Sequence, residues 1–328
     1  MFRIYHSLQE ASDGFGPCAL TVGNFDGVHA GHRRILRRLV WLARENGWEP
    51  SALTFDPHPA KIVAPQRAPR LLTTPEQRAL LMRDEGIVQV LVLPFTPELS
   101  RFSPERFVET ILREKLDARA VLVGDNFRFG YRHAGDTCLL TELGKKHGFL
   151  TEVIPAVALR GHTVSSSEIR RLLDRGKVSL AARLLEHPYA LQGTVVPGQG
   201  IGSKMTVPTL NLAPGAEVLP ASGVYITRTH ALDLAGHGPA PPWPSVTNVG
   251  CRPTFGGDTL LVETSLLSPL QGAPPRVIRV ELLHRLRGER KFPNPELLRA
   301  QILRDVARAQ TFFRRLERLR RTTPHVTV

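Results

Sequence analysis

What this chain lacks narrows its class before any motif is read. Only three cysteines, Cys18, Cys138 and Cys251, occur in 328 residues, widely separated and without a CxxC pair. That excludes a disulfide framework and a cysteine zinc site, and the thiols are expected to stay reduced, as in a cytoplasmic protein. No stretch approaches the roughly 18 uninterrupted apolar residues of a membrane span, and MFRIYHSLQEASDGFG has no basic-then-apolar signal pattern. A soluble chain without a membrane partner is expected. No repeat of fixed period is visible, and nothing in the sequence fixes an oligomeric state. Acidic residues are the minority: 30 Asp and Glu against 43 Lys and Arg leave a formal charge of +13. Such a field attracts nucleotide phosphates and nucleic acid alike. Runs such as HRRILRRLV and FFRRLERLRRTT, however, set arginines between apolar residues at helical spacing. They read as solvated helix faces, so nucleic acid is not an expected partner.

What is present suffices for two well-filled cores, with 42% apolar residues in a chain too long for one small domain. In the first half, short apolar runs at 19–22, 52–55, 88–95, 120–123 and 150–154 alternate with helical patterns at 33–46, 75–85, 104–115 and 139–147. Gly47, Gly86 and Gly148 stand just past helix ends. This alternation predicts an α/β, Rossmann-like domain whose parallel sheet is covered by helices. After about residue 187 the texture changes to closely spaced β-rich runs at 190–196, 223–227, 245–248, 259–267 and 276–283. These predict a small antiparallel barrel, with a surface loop at 235–244 and a closing helix at 295–320. Helices at 168–174 and 179–185 lead into the join, so the domains are expected at 1–187 and 188–328.

The strongest motif, TVGNFDGVHAGH (residues 21–32), ends a strand and opens a helix. Nucleotidyl transfer requires a backbone that approaches the α-phosphate, a helix N-terminus aimed at it, and donors fixed alongside. Gly27 and Gly31 allow the close approach, His29 and His32 can point together at a triphosphate, and Gly23, Asn24, Phe25 and Asp26 complete the candidate ATP- and phosphate-binding set. HxGH also marks other adenylyl-transferring enzymes, including class I aminoacyl-tRNA synthetases. Three further segments follow in order: LTFDPHP with Asp56 and His58, VGDNFRFG with Asp125 and Asn126, and VSSSEIR with Ser165, Ser166, Ser167 and Arg170. Taken singly, the last is a helix N-cap, the second a strand-end turn, and the first a loop in which Asp56 and His58 pair.

Together these landmarks resemble the start of the bacterial bifunctional riboflavin kinase/FAD synthetase family. The resemblance implies that His29 and His32 serve adenylyl transfer from ATP to FMN. It also implies that Ser165–Ser167 and Arg170 grip ATP phosphates and that Asp56, His58, Asp125 and Asn126 hold flavin and nucleotide. Ser167 stands where the family usually has Thr, and a hydroxyl is kept.

The second half carries GTVVPGQGIGSKMTVPTLN (residues 193–211). Gly198, Gly200, Gly202 and Lys204 fit no GxxxxGK[ST] register, yet a Gly-rich turn can still form a nest of N–H groups for phosphate. If the segment up to residue 212 is extended, Thr209 and Asn211 share a face, and two neutral oxygen ligands suit Mg²⁺. The plain alternative is a solvent-facing hairpin. The riboflavin kinase half of the same family implies that Thr209 and Asn211 are metal ligands and Glu263 the catalytic base. Departures from the family pattern are Thr206, Val207 and Leu210 around the PT pair, and Ser265 and Ser268 after Glu263. The chain as a whole is expected to convert riboflavin to FMN and FMN to FAD, with ATP and Mg²⁺. Two rivals stand beside this: an adenylyltransferase whose barrel only binds flavin, and a flavin- or RNA-binding regulator.

Overall fold

The computed structural model describes residues 1–11, 14–196, 209–213, 215, 217–232, 241–254, 257–270 and 273–322, and the statements below concern these. The chain forms two compact units, Met1–Glu168 and Ile169–Val328. No helix among the described residues is long and apolar enough to cross a membrane.

In the first unit the strands are β1 (Arg3–Tyr5), β2 (Cys18–Val22), β3 (Glu49–Asp56), β4 (Gln89–Pro94), β5 (Ala118–Gly124) and β6 (Leu150–Ile154). They form one six-stranded sheet in the order β1–β4–β3–β2–β5–β6, with all neighbours parallel. β1 is absent from the sequence expectation, because three edge residues carry too little pattern. The other five follow the apolar runs, since a parallel sheet is covered on both faces. The helices are α1 (Leu8–Ala11), α2 (Ala30–Asn46), α3 (Pro59–Val63), α4 (Pro75–Arg83), α5 (Pro104–Arg106) and α6 (Thr137–His147). The helix expected over 104–115 continues beyond α5 as a π-helix, Phe107–Lys115. On one side of the sheet Ile35, Leu36 and Leu39 of α2 pack with Ala19, Ala52 and Val90. On the other, Phe107, Ile111 and Leu140 pack with Leu20, Leu53 and Val121. The order places β2 between β3 and β5. The chain therefore winds outward from β2 through β3 and β4 and later returns to add β5 and β6, which makes the β2–β5 edge the switch point. A short hairpin, β7 (Ala158–Leu159) and β8 (His162–Thr163), precedes α7 (Ser166–Asp174).

In the second unit, α8 (Val178–Leu185) packs against β9 (Tyr189–Val196) and β14 (Val277–Gly288). These two strands, with β10 (Thr209–Leu212), β11 (Gly223–Leu232), β12 (Trp243–Thr254) and β13 (Gly257–Leu266), close an antiparallel barrel in the order β10–β13–β12–β11–β14–β9. Strand alternation separates two kinds of side chain. One set is a chain of buried hydroxyls, Thr229–Ser245–Thr227–Thr247–Thr264, linked at 2.7–2.9 Å. The other is apolar: Val224, Ile226 and Val246 pack with Ala309 and Phe313 of the closing helix α9 (Pro295–Thr322). Arg287 pins that helix through Nε to Asp305 Oδ2 at 2.9 Å. The expected surface loop at 235–244 is corrected at its end. Trp243 and Pro244 begin β12, opposite Thr229 and Arg228; a proline is accommodated at the start of a strand, where fewer ladder bonds are lost. Residues 235–240 lie outside the described residues.

Candidate functional site

Three of the expected segments lie at the carboxyl ends of neighbouring strands. Gly23 to His32 leave β2, Asp56 ends β3 with His58 just after it, and Asp125 and Asn126 follow β5. They surround the place where the strand order reverses, which in open α/β sheets is where ligands bind.

His29 caps α2, its Nδ1 accepting the backbone N–H of His32 at 3.3 Å. The two imidazoles stack with centroids 3.6 Å apart, and Phe25 meets His32 edge-on at 5.0 Å. Burial pushes the His29 pKa down to about 4. Burial, with His29 and Arg78 adding to it, holds His32 well below the usual imidazole range. Both rings are therefore neutral near pH 7. Because Nδ1 of His29 accepts, its proton resides on Nε2, leaving a neutral donor at a helix N-terminus.

The loop between strand and helix is strained and tied down. Phe25 and Val28 have φ of 46° and 39°, a region costly for a β-branched residue. Gly27, at φ 83°, donates its N–H to Thr73 Oγ1 at 3.0 Å. A Cβ at Gly31 would sit 3.2 Å from the His29 ring, so a side chain there requires that ring to give by a few tenths of an ångström. Gly23 N–H bonds Leu53 C=O at 3.1 Å, and Asn24 C=O accepts from Thr54 Oγ1 at 3.2 Å. Asp26, expected at the phosphates, has its carboxylate buried against the Leu72 and Thr73 amides at 2.9 and 3.0 Å and the Thr73 hydroxyl at 3.2 Å. A carboxylate satisfied in this way holds the loop; it does not face an anion.

The serine-rich turn is joined to this loop. Ser166 Oγ donates to Asp26 C=O at 2.9 Å across 140 residues of sequence. Ser165 Oγ caps α7 by accepting Glu168 N–H at 3.2 Å. Ser167 is exposed, and Arg170 lies further along the same helix. Asp125 and Asn126 are exposed, with Asp125 Oδ2 accepting Ala156 N–H at 3.0 Å. Asp56 is exposed, and His58 caps α3 by accepting Ala60 N–H at 3.1 Å. The sequence reading gives no role to Arg78, Thr73 or Thr54 (the last inside LTFDPHP), and their places beneath the loop depend on sheet order.

In the barrel, register brings the other candidates together. Asn211 of β10 stands opposite Glu263 of β13, and Glu263 stands opposite Asn248 of β12. Directly opposed residues in antiparallel pairs share a face, with Cβ atoms about 4.5–5.5 Å apart. Thr209 faces Ser265 one step along the same face, whereas Leu210 alternates to the other side, opposite Thr264. The departure at Leu210 therefore leaves the Thr209–Asn211 face intact. Asn211 is buried and Glu263 half-buried, so Glu263 is not a merely exposed strand carboxylate. Asn248 is a further polar member that motif reading left without a role. Gly198, Gly200, Gly202 and Lys204 lie outside the described residues.

The two candidate sites lie one on an open α/β sheet and one on a closed barrel, the division expected of a two-part nucleotide-using transferase. Residues 12–168 match the family described as FAD synthetase, and residues 185–313 that described as riboflavin kinase. Bifunctional riboflavin kinase/FMN adenylyltransferase of Escherichia coli (strain K12) is 34% identical over 95% of this chain and 97% of its own length. The Pseudomonas fluorescens protein of the same name is 35% identical over 94% and 96%. A solved structure described as a macrolide-efflux protein from Streptococcus pneumoniae superposes with a TM-score of 0.82, covering 94% of this chain and 99% of its own; at 22% identity it speaks for the fold alone. The chain belongs to the bifunctional riboflavin kinase/FMN adenylyltransferase family, and it is an enzyme with both activities. The matches to both families favour this reading over a flavin-binding barrel without catalysis and over a regulator.

Proposed function

We propose that FMN is adenylylated in the switch-point crevice of the first unit and that riboflavin is phosphorylated on the Thr209–Asn211–Glu263 face of the barrel. The observation that carries the second assignment is the pairing of Asn211 with Glu263, which puts a neutral oxygen ligand beside a carboxylate. Glu263 accepts the proton of the riboflavin 5′-hydroxyl as that oxygen bonds the γ-phosphorus of ATP and the bond to the ADP oxygen breaks. Thr209 and Asn211 fit Mg²⁺, a hard cation content with few protein oxygens because it retains waters and binds substrate phosphates. Bound there, the ion would offset charge on the transferring phosphoryl group.

In the first unit, an FMN phosphate oxygen bonds the α-phosphorus of ATP while pyrophosphate leaves. The α2 N-terminus and the neutral donor of His29 stabilise the charge that develops. Ser165, Ser166, Ser167 and Arg170 supply further phosphate contacts, Asp56, His58, Asp125 and Asn126 bound the flavin side, and Gly198, Gly200, Gly202 and Lys204, outside the described residues, are assigned to ATP in the kinase half. The functional boundary is placed at residues 187/188. Small molecules are the partners, and in the basic run of α2 Arg33 and Arg37 pair with Glu85 and Arg38 with Glu152. The buried, unpaired thiol of Cys18 suits the reducing cytoplasm.

A crossed pair of variants tests the assignment. His29→Ala with His32→Ala is expected to abolish FAD formation and spare FMN formation. Glu263→Gln is expected to slow riboflavin phosphorylation by about 10²–10⁴ and spare FMN adenylylation. Loss of both activities in either folded variant refutes the two-site assignment.

A further inference from the structure

Arg78, on α4, is the largest of the fully buried side chains, with 1% of its surface exposed. A guanidinium cannot shed its charge, so it persists inside a core only where it is engaged on several sides. Its Nη1 donates to Thr54 Oγ1 at 3.0 Å, and that hydroxyl donates onward to Asn24 C=O at 3.2 Å. Its Nη2 donates to Thr73 C=O at 3.3 Å and lies 3.9 Å from Asp26 Oδ1. Thr73 in turn accepts the N–H of Gly27, and the C=O of Asp26 accepts the hydroxyl of Ser166. One side chain thus reaches, directly or through one intermediary, both ends of the strained loop and the serine-rich turn.

We propose that Arg78 is the positioning residue of FMN adenylylation: it fixes the loop from Asn24 to Gly27, and so the α2 N-terminus and His29, in the geometry required around the α-phosphate. The inference rests on the placement of adenylylation at His29 and His32. Two features separate this role from ordinary core filling. Among the described residues, each side-chain hydrogen bond of Arg78 ends on a residue that grips the nucleotide loop, where a packing residue would be replaceable by an apolar chain. The charge also has a local effect: together with burial and His29, it disfavours a proton on His32, keeping cation repulsion out of the stacked pair. Angstrom-scale misplacement of a catalytic group can cost about 10²-fold in rate.

The test compares Arg78→Met, which keeps the stem and removes the charge and both donors, with Arg78→Lys, which keeps the charge and one donor direction. At saturating ATP, Arg78→Met is expected to lower the FMN adenylylation kcat by about 10–100-fold. The KM for FMN should stay within about threefold, and riboflavin phosphorylation on the same preparation should be unchanged. Arg78→Lys is expected to recover at least about tenfold of that loss. A folded Arg78→Met protein with the parental adenylylation rate, or a Lys variant no better than Met, overturns the proposal. If Arg78→Met does not fold, Thr54→Val decides, since it breaks the relay to Asn24 while leaving Arg78 in place. A selective fall in adenylylation kcat supports the proposal, and a parental rate refutes it. The His29, His32 double variant is run alongside: retained FAD formation there overturns the site placement on which the inference rests.

Discussion

Acidification should uncouple the first unit through His29. In the folded chain its pKa is depressed to about 4 by burial, against 6.5 when solvated. The unfolded chain therefore binds a proton between these values that the folded chain refuses. Stability is complete above 6.5 and is lost as pH falls towards 4. The gap of roughly 2.5 units, at about 1.4 kcal/mol per unit, makes the full loss about 3 kcal/mol, of which about 2 kcal/mol is reached near pH 5. The assay is urea unfolding followed by tryptophan fluorescence in a Trp243→Phe background. Of three tryptophans this leaves Trp41 and Trp48, both in the first unit. His29→Asn is the reference, because the Asn oxygen can replace Nδ1 as the α2 cap while removing the titration. The stability difference between parent and His29→Asn should shrink by about 2 kcal/mol between about pH 8 and about pH 5. A constant difference refutes the buried neutral imidazole. The same burial predicts that FMN adenylylation shows no activity step near pH 6.5, where an ordinary histidine would titrate.

Other outcomes follow from the barrel. Asn211→Ala should raise the Mg²⁺ concentration needed for half-maximal riboflavin phosphorylation and leave FAD formation from supplied FMN unaffected; an unchanged Mg²⁺ dependence removes Asn211 from the metal site. A fragment beginning at Pro188 should make FMN and no FAD. One beginning at Ser166 should do the same with a higher melting temperature, because Ala181, Leu184 and Leu185 of α8 are fully buried; an inactive, unfolded Pro188 fragment beside an active Ser166 fragment moves the boundary to the start of α7. Asp305→Ala leaves Arg287 without its partner on α9, and a half-buried charge so stranded should lower the barrel's stability by about 1–3 kcal/mol in thermal or urea unfolding.

The sequence by itself determined whatever depends on neighbours in the chain. The parallel strands are legible because burial on both faces leaves continuous apolar runs. The phosphate loop is legible because a strand end, a glycine turn and a helix cap fall within twelve residues, and the barrel because its strands follow one another between turns. Even the shared face of Thr209 and Asn211 follows from a period of two. Only the tertiary structure decided what those residues meet. Asp26 looks like a phosphate-loop residue in sequence; folding buries its carboxylate on amides some 46 positions away, just ahead of α4. Arg78 lies in no motif and Thr54 has only a place inside LTFDPHP with no role read from it; their bonds exist because β3 lies beside β2, a matter of strand order. The pairing of Glu263 with Asn211 and Asn248 is likewise a matter of register, where a slip of one residue would turn the carboxylate to the opposite face. Local pattern names the elements and the reactive side chains; which of them share a site is fixed by long-range pairing, because burial and register are properties of the packed chain.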